Sequence, residues 1–393
     1  MIILYVHEVS WFNKVVYEMH DFPELLSLKG HEVHFLEFEE NHSRAHWKSV
    51  VSVESRSHAG SKVRVITPPH LFYGILRRLA ATIIQPIVFM RLLKKIKPDV
   101  VVTYSMPTSG WQAVAICRRK HIPVVVRAID VSHKLRQTRF EKMILRAEKF
   151  VYKHADHVCT NNETLLQYCI AMGASIEKSS VIHPGVDLNR FSPAPPSSNL
   201  QKSMGIEPTD KVLLFMGTIF RFSGLVDLLD ELAPALHNDP FLKFLILGDG
   251  EDLSRVKETV SKFDLQKQVI TPGQIEYNVL ADYLRLGHVA LLPFKQTLAT
   301  HGALPGKVLQ YLACGIPTIA SPLDGLMSVL TIGQGVVYTT TPKSMAADAI
   351  DLVYNPHKQQ VISIQGSKSI SEHFNWDRQI AMFENLLSSL SLN

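Results

Sequence analysis

The sequence predicts an α/β protein made of two Rossmann-like domains, each with a doubly wound parallel sheet. Three observations predict it. Short apolar runs alternate with helix-period segments from the first residues onward. The alternation halts at Ser192-Pro193-Ala194-Pro195-Pro196-Ser197-Ser198, a Pro/Ser-rich linker, and then restarts. The length of 393 residues exceeds what one hydrophobic core usually organises.

In the first half, Ile2–Val6 is a short apolar strand, and Tyr17–Lys29 reads as a helix stopped by Gly30. His31–Phe38 alternates apolar and polar residues as a strand does, and Val63–Ile66 repeats the signal. A basic helix follows, then the run Val100–Tyr104, a helix over Trp111–Lys120 and the buried strand Pro123–Arg127. A long helix, Phe140–His154, and a strand, His157–Thr160, complete the half. In the second half, strands are expected at Lys211–Gly217, Phe241–Leu247, Gln268–Ile270, Val289–Pro293 and Thr318–Ala320. Helices are expected at Leu225–Leu236, Leu253–Phe263 and Leu280–Leu286. The boundaries follow: residues 1–190, a linker at 191–200, and a second domain at 201–373. Open parallel sheets bind ligands beyond the carboxyl ends of their strands. Two such sheets facing across a cleft suit the joining of two substrates.

Composition narrows the function. An apolar fraction of 46% and a charged fraction of 20% exclude wholesale disorder. The net charge of +5 suits anionic ligands but is too small to argue for nucleic acid. Cys117, Cys159, Cys169 and Cys314 are scattered, with no C-x-x-C pair, so neither a zinc site nor a disulfide framework is indicated. The 18 histidines are mostly isolated, and no metal is assigned. Asn41-His42-Ser43 and Asn162-Glu163-Thr164 match the glycosylation pattern, which means little without a secretory signal. The opening MIILYVHEVSW has no basic leader and reads as a strand, which points to a cytoplasmic protein. The longest apolar stretch, Ile75–Met90, falls short of the roughly 20 residues of a spanning helix. Arg77, Arg78, Arg91, Lys94, Lys95 and Lys97 surround it. Such a helix is either a core helix with a solvated basic face or a peripheral contact with the inner face of a membrane.

The stretch His301–Pro317, HGALPGKVLQYLACGIP, is the most informative. It reads as loop, helix N-terminus and helix, with the strand Thr318–Ala320 next. A helix N-terminus presents unpaired N–H groups and positive dipole charge. Lys307 in the first turn adds a full charge where a cation is otherwise unfavourable, so the segment reads as a grip for a nucleotide diphosphate. Two look-alikes fail. Gly302–Val308 is one residue short of a P-loop and has Val308 where Ser or Thr is required. Gly248-Asp249-Gly250 lacks the third glycine of a dinucleotide fingerprint.

At this point the chain resembles a glycosyltransferase of the GT-B fold, in the retaining, nucleotide-sugar-dependent family numbered four. The similar stretches are EKFVYKHADHVCTNN (148–162 region), Val181–Asp187 with Arg190-Phe191, FLILGDG (244–250), YLACGIPTIAS (311–321) and Phe374–Asp377. The resemblance implies that a last helix, 374–393, crosses back onto the N-terminal domain. The departures are specific. The family's two donor-site glutamates fall on Gly302 and Gln310, and its loop arginine and lysine on Thr218 and Ser223. Its N-terminal histidine falls on Tyr104, and its glycine-rich first loop on His7-Glu8-Val9-Ser10-Trp11. His183 stands where Asn is more frequent.

The resemblance implies a metal-independent hexosyl transfer in which cations and helix N-termini stabilise the departing diphosphate. Lys307 and Arg221 are then the diphosphate-side catalytic candidates, and Asp130 orients acceptor or donor sugar, unless it only caps a turn. Donor contacts fall to Gly217, to the backbone N–H groups of Gly302, Ala303 and Leu304, to Gln310 at a ribose hydroxyl, and to Gln274 near the base. His7, Glu8 and Tyr104 line the acceptor side. Expected partners are a nucleotide sugar and a sugar, lipid-linked or small-molecule acceptor, with no cofactor and no nucleic acid. A non-catalytic binding module and a nucleotide-sugar epimerase on the same scaffold are the alternatives.

Overall fold

A computed structural model describes residues 1–38, 48–69, 74–104, 109–135 and 140–391, the side chains of 74–79 and 135 excepted. The pattern Asn41-His42-Ser43 and the side chains of Arg77 and Arg78 lie outside the described residues. The chain divides into two compact units, Met1–Pro184 with Asp377–Asn393, and Gly185–Trp376.

The first unit runs β1 (Ile2–Val6), α1 (Glu18–Leu28), β2 (Glu32–Leu36), β3 (Val50–Glu54), β4 (Val63–Thr67), α2 (Gly74–Ile96) and β5 (Val100–Tyr104). It continues with α3 (Gly110–Lys120), β6 (Val124–Ala128), α4 (Ser132–Leu135), α5 (Glu141–His154), β7 (His157–Thr160), α6 (Glu163–Ala171) and β8 (Ser179–Val181). Its sheet has the order β3-β4-β2-β1-β5-β6-β7-β8. All neighbours are parallel except β3, which runs antiparallel at the edge. β5 and β6 are buried on every residue, as their near-continuous valine content demands of strands covered on both faces. Pro86 does not end α2, which continues past it to Ile96.

The second unit runs α7 (Ser198–Ser203), β9 (Lys211–Met216), α8 (Leu225–Asn238), β10 (Leu242–Leu247), α9 (Leu253–Lys262), β11 (Val269–Gly273) and α10 (Leu280–Leu284). Then come β12 (Val289–Leu292), α11 (Gly306–Ala313), β13 (Thr318–Ala320), α12 (Asp324–Met327), β14 (Val336–Tyr338), α13 (Pro342–Val353) and α14 (Pro356–His373). Its all-parallel sheet has the order β11-β10-β9-β12-β13-β14. The order reverses between β9 and β12, the switch point at which doubly wound sheets take ligands. The last helix, α15 (Trp376–Ser391), lies almost wholly in the first unit. There Phe383 meets Phe22 at 4.8 Å, and Glu384 pairs with Lys29 and His31.

The division falls at 184/185, ahead of the Pro/Ser stretch. Val186 bridges Asn375, and its N–H donates to the Phe374 carbonyl at 2.7 Å, so the second unit closes on its own two ends. Gly185 lies under the Trp376 indole, where a Cβ would come within 2.5–2.8 Å of ring carbons.

Candidate functional site

In the second unit, the carboxyl edge of the sheet is built from glycines. Gly217, Gly248 and Gly273 terminate β9, β10 and β11 with φ of 129°, 137° and 89°. The Gly217 N–H donates to Leu247 O and the Gly248 N–H to Gly273 O, so three successive strand ends are laced together. Such φ values exclude other residues at low cost.

Lys307 meets this edge at the switch point. Its Nζ lies 4.6 Å from the Phe215 ring centroid on β9 and 4.9 Å from that of Phe294, two residues past the end of β12. A Cβ on Gly217 would overlap the ammonium itself, so glycine there leaves room for the cation. Burial pushes the Lys307 pKa down to about 7. The lysine sits one residue into α11, whose N-cap is Pro305. Gln310 and Tyr311 follow at i+3 and i+4, on the same helix face. The Tyr311 hydroxyl accepts from the Met216 N–H at 2.6 Å and donates to the Met216 carbonyl at 3.2 Å, fixing α11 to the end of β9. Gln310 is partly exposed.

The loop before α11 is tied internally. Thr300 Oγ1 donates to Lys295 O at 2.6 Å and accepts from the Thr297 N–H at 2.9 Å. The Ala303 N–H donates to Thr300 O at 3.0 Å, which corrects the expectation that it is offered to a phosphate: the turn itself consumes it. Leu304 turns its side chain into the core. Gly325 packs against the Gly302 and Ala303 carbonyls, and its N–H donates to His301 O at 3.0 Å. Gln274 is exposed directly after β11.

Arg221 is exposed on the short 3₁₀ turn Arg221–Ser223 that follows β9. Ser223, at the position of the family's lysine, is fully buried. Its hydroxyl accepts from the Phe220 N–H at 3.0 Å and donates to Thr218 O at 3.2 Å, so it closes the loop on itself.

The first unit buries its candidates. His7, Glu8 and Tyr104 are 1%, 1% and 0% exposed, at the carboxyl ends of β1 and β5. His7 and Tyr104 stack at 4.3 Å, and His7 Nε2 is 3.2 Å from the Tyr17 hydroxyl. Glu8 accepts from the Ser109 N–H and, at 3.3 Å, from its hydroxyl. The Tyr104 hydroxyl reaches Glu18 O at 3.5 Å, and burial raises its pKa well above the usual value. Expected on the acceptor side, these three form an inner layer beneath the strand ends. Asp130 is partly exposed just past β6.

Sequence reading did not find the pair behind that layer. Arg127 is fully buried, and its guanidinium makes two bonds to Glu18, of 2.7 and 2.9 Å. It also donates to Cys159 Sγ at 3.1 Å and Ile182 O at 2.7 Å. Burial opposes the charge most strongly, but Glu18, Cys159 and Tyr104 together leave the arginine pKa raised. A lone arginine in a valine strand was the available signal. Among the described residues no group of three or more His, Cys, Asp or Glu is placed to hold a metal ion, and no helix is long and apolar enough to cross a membrane.

Two family models match the chain: Glycosyltransferase Family 4 over residues 20–190 and Glycosyl transferases group 1 over residues 197–369. The UDP-Gal:alpha-D-GlcNAc-diphosphoundecaprenol alpha-1,3-galactosyltransferase of Escherichia coli is 27% identical over 249 residues, 60% of each chain. The chain spans between about half and three fifths of the length of the curated relatives it matches. Among solved structures, sucrose-phosphate synthase from Thermosynechococcus elongatus superposes with a TM-score of 0.82 at 16% identity, over 99% of this chain and 98% of that one. Anabaena HepE in complex with UDP-glucose superposes with a TM-score of 0.76 at 16% identity, over 99% and 100%. The two family models meet near the Pro/Ser stretch and between them take in most of the chain, which belongs to the glycosyltransferases of the GT-B fold, of the family 4 type.

Proposed function

We propose that the protein is a retaining glycosyltransferase that moves a hexose from a nucleoside diphosphate, UDP or GDP, to a carbohydrate, lipid-linked or small-molecule acceptor. One observation carries the reading: the Lys307 ammonium is set against Gly217 at the switch point of the second unit, at the start of α11. A cation, a helix N-terminus and an absent Cβ converge where a diphosphate fits. As the sugar leaves, charge grows on that diphosphate, and preorganised positive groups stabilise the developing charge most. Lys307 serves the diphosphate, with Arg221 from the loop after β9. Gln310, one turn along from Lys307, suits a ribose hydroxyl, and Gln274 the base. Gly302 and Leu304 shape the loop at the sugar. Asp130, just past β6, orients the acceptor or the donor sugar, and His7, Glu8 and Tyr104 belong to the acceptor side.

With Gly302 and Gln310 in place of carboxylates, no side chain there serves as a covalent nucleophile, so retention runs on the front face, assisted by the leaving phosphate. The reading uses the nucleotide sugar as co-substrate and no further cofactor, and it places the enzyme in the cytoplasm. The E. coli relative, named for a UDP-linked donor and a diphosphoundecaprenol acceptor, supports UDP over GDP and a lipid-linked acceptor over a free sugar. The HepE complex with UDP-glucose supports the same base.

The missing carboxylates favour a second reading, a binding module without turnover. A thermal-shift panel of nucleotides and nucleotide sugars tests donor binding. A ligand at 100 times its Kd stabilises by about 2.7 kcal/mol. The expected result is a shift with UDP and a smaller one with GDP. No shift with any nucleoside diphosphate removes the reading. A shift without nucleotide release in a coupled assay, with every acceptor class supplied, leaves the binding module. UDP-sugar isomers formed without an acceptor leave the epimerase.

A further inference from the structure

Three helices of the first unit, α2, α3 and α5, cover one face of its sheet. They pack into one core there through Val88, Phe89, Val114, Cys117, Val151 and Tyr152. Gln112 of α3 donates to Thr82 O of α2 at 2.9 Å, and Trp111 of α3 meets Phe150 of α5 edge-on at 6.4 Å. Each helix links parallel strands, so all three run opposite to the strands and therefore in the same direction. Their N-terminal ends share the carboxyl edge of the sheet, and their C-terminal ends share the opposite edge.

Their outer faces are zoned along that common direction. Among the described side chains of α2, the exposed ones run Thr82, Ile83, Ile87 and Met90, then Arg91, Lys94 and Lys95. On α3, Trp111 is exposed in the first turn, and Arg118, Arg119 and Lys120 in the last. On α5, Met143 is exposed in the first turn beside Lys142, followed by Arg146, Lys149 and Lys153. Ile83 and Met143 are 66% and 59% exposed, far from the burial that such side chains usually find. Among the described side chains, three separate helices thus give an apolar band, with Lys142 beside it, and a cationic band. The acidic residues of these helices do not cancel the cations: α2 and α3 have none, Glu141 of α5 is held by Lys134 at 2.7 Å, and Glu148 is buried against His133.

We infer that this three-helix face docks on the surface of an anionic lipid bilayer, with the apolar band dipping into the headgroup boundary and the cations on the headgroups. Charge complementarity selects the occupant. A surface that pairs protruding aliphatic and indole side chains with clustered lysine and arginine matches the amphipathic boundary of an anionic membrane. The apolar band lies at the carboxyl edge, where the Glu8 carboxylate binds the Ser109 N–H, two residues before Trp111. Docking therefore turns the strand ends of the first unit toward the lipid. The inference about docking stands without the proposed reaction; the further step, that the acceptor is carried by a lipid, rests on it.

The experiment is co-sedimentation of the full chain with vesicles of phosphatidylcholine alone or mixed with phosphatidylglycerol, without nucleotide, over a range of salt. Binding is expected only to the mixed vesicles, falling as salt rises. The variant Lys94→Glu/Arg118→Glu/Lys149→Glu and the variant Ile83→Gln/Ile87→Gln/Met143→Gln should each bind at least roughly tenfold more weakly. Both leave the candidate nucleotide residues untouched, and circular dichroism melting checks that each folds. A variant that fails to fold is replaced by its single substitutions. Equal binding to both vesicle types, variants that bind as the parent does, or binding confined to duplex DNA overturns the inference. Because no nucleotide is present, loss of the donor reading leaves this result unaffected.

Discussion

Lys307 combines two opposed demands, since a cation poorly solvated between two rings stabilises a diphosphate well and the empty protein badly. The sign of its pH dependence follows. With the pKa lowered to about 7 from the usual 10.5, the free protein holds the lysine largely neutral above pH 7. The bound diphosphate favours the ammonium, so binding takes up a proton. UDP affinity should be full below about pH 7 and fall by up to tenfold per unit above it. The unliganded fold behaves oppositely, because the unfolded lysine keeps its proton up to its ordinary value, and stability attributable to this group rises with pH from about 7 toward 10.5. Calorimetric titration of UDP at pH 6.5 and 8.5 measures the first effect. A flat profile, or a normal profile in Lys307→Ala, would detach the lysine from the site. A second prediction at this scale concerns Glu18. Glu18→Gln leaves the Arg127 guanidinium buried without its carboxylate, and should cost about 3–5 kcal/mol in urea unfolding.

At the scale of elements, the end of β9 explains what Tyr311 is for. β9 pairs with β12 only at Leu213 and Leu214, whereas it stays paired with β10 as far as Met216. The strands part at the switch point, and the Met216 N–H and C=O are left facing the gap. The Tyr311 hydroxyl satisfies both and holds the helix face that carries Lys307. Tyr311→Phe should therefore unpair two backbone groups, lower stability by about 1–3 kcal/mol and weaken UDP binding by roughly tenfold. Unchanged UDP binding in a folded Tyr311→Phe protein would separate the bridge from the site. Central strands were legible from the sequence because burial on both faces writes continuous apolar runs, as in Val100–Tyr104 and Leu213–Phe215, whereas the helices α13 and α14 were not read. Nor were edge elements. β3 is a half-exposed VVSVE, and β8 and β14 are three residues each, too short to show a period. The basic residue at the start of α11 was visible because its position contradicts the helix dipole. The inward turn of Ser223, the Ala303 N–H bond and the Glu18–Arg127 pair depend on backbone paths and contacts between distant segments, which no local pattern encodes.

For the whole molecule, chain order and structural order disagree in a way that sets which fragments fold. The chain leaves the first unit after Pro184 and returns to it at Asp377. The second unit is therefore an insertion whose ends meet at the Val186–Asn375 bridge. A fragment of residues 185–376 keeps its sheet, Gly217, Lys307 and Tyr311, and loses no core strand, so it should fold alone and bind UDP. A fragment of residues 1–184 lacks α15, where Ile380, Phe383 and Leu387 are 2%, 1% and 0% exposed. At about 2 kcal/mol for each buried side chain, the three contribute about 6 kcal/mol, within the 5–15 kcal/mol that holds a whole domain together. The Glu384 pairs with Lys29 and His31 go with them. Fragment 1–184 should accordingly bind a hydrophobic dye and unfold without a cooperative transition, and a chain joining 1–184 to 377–393 by a flexible linker should regain the transition. A cooperative melt of 1–184 alone would show that α15 is an accessory to the first unit and not one of its structural walls.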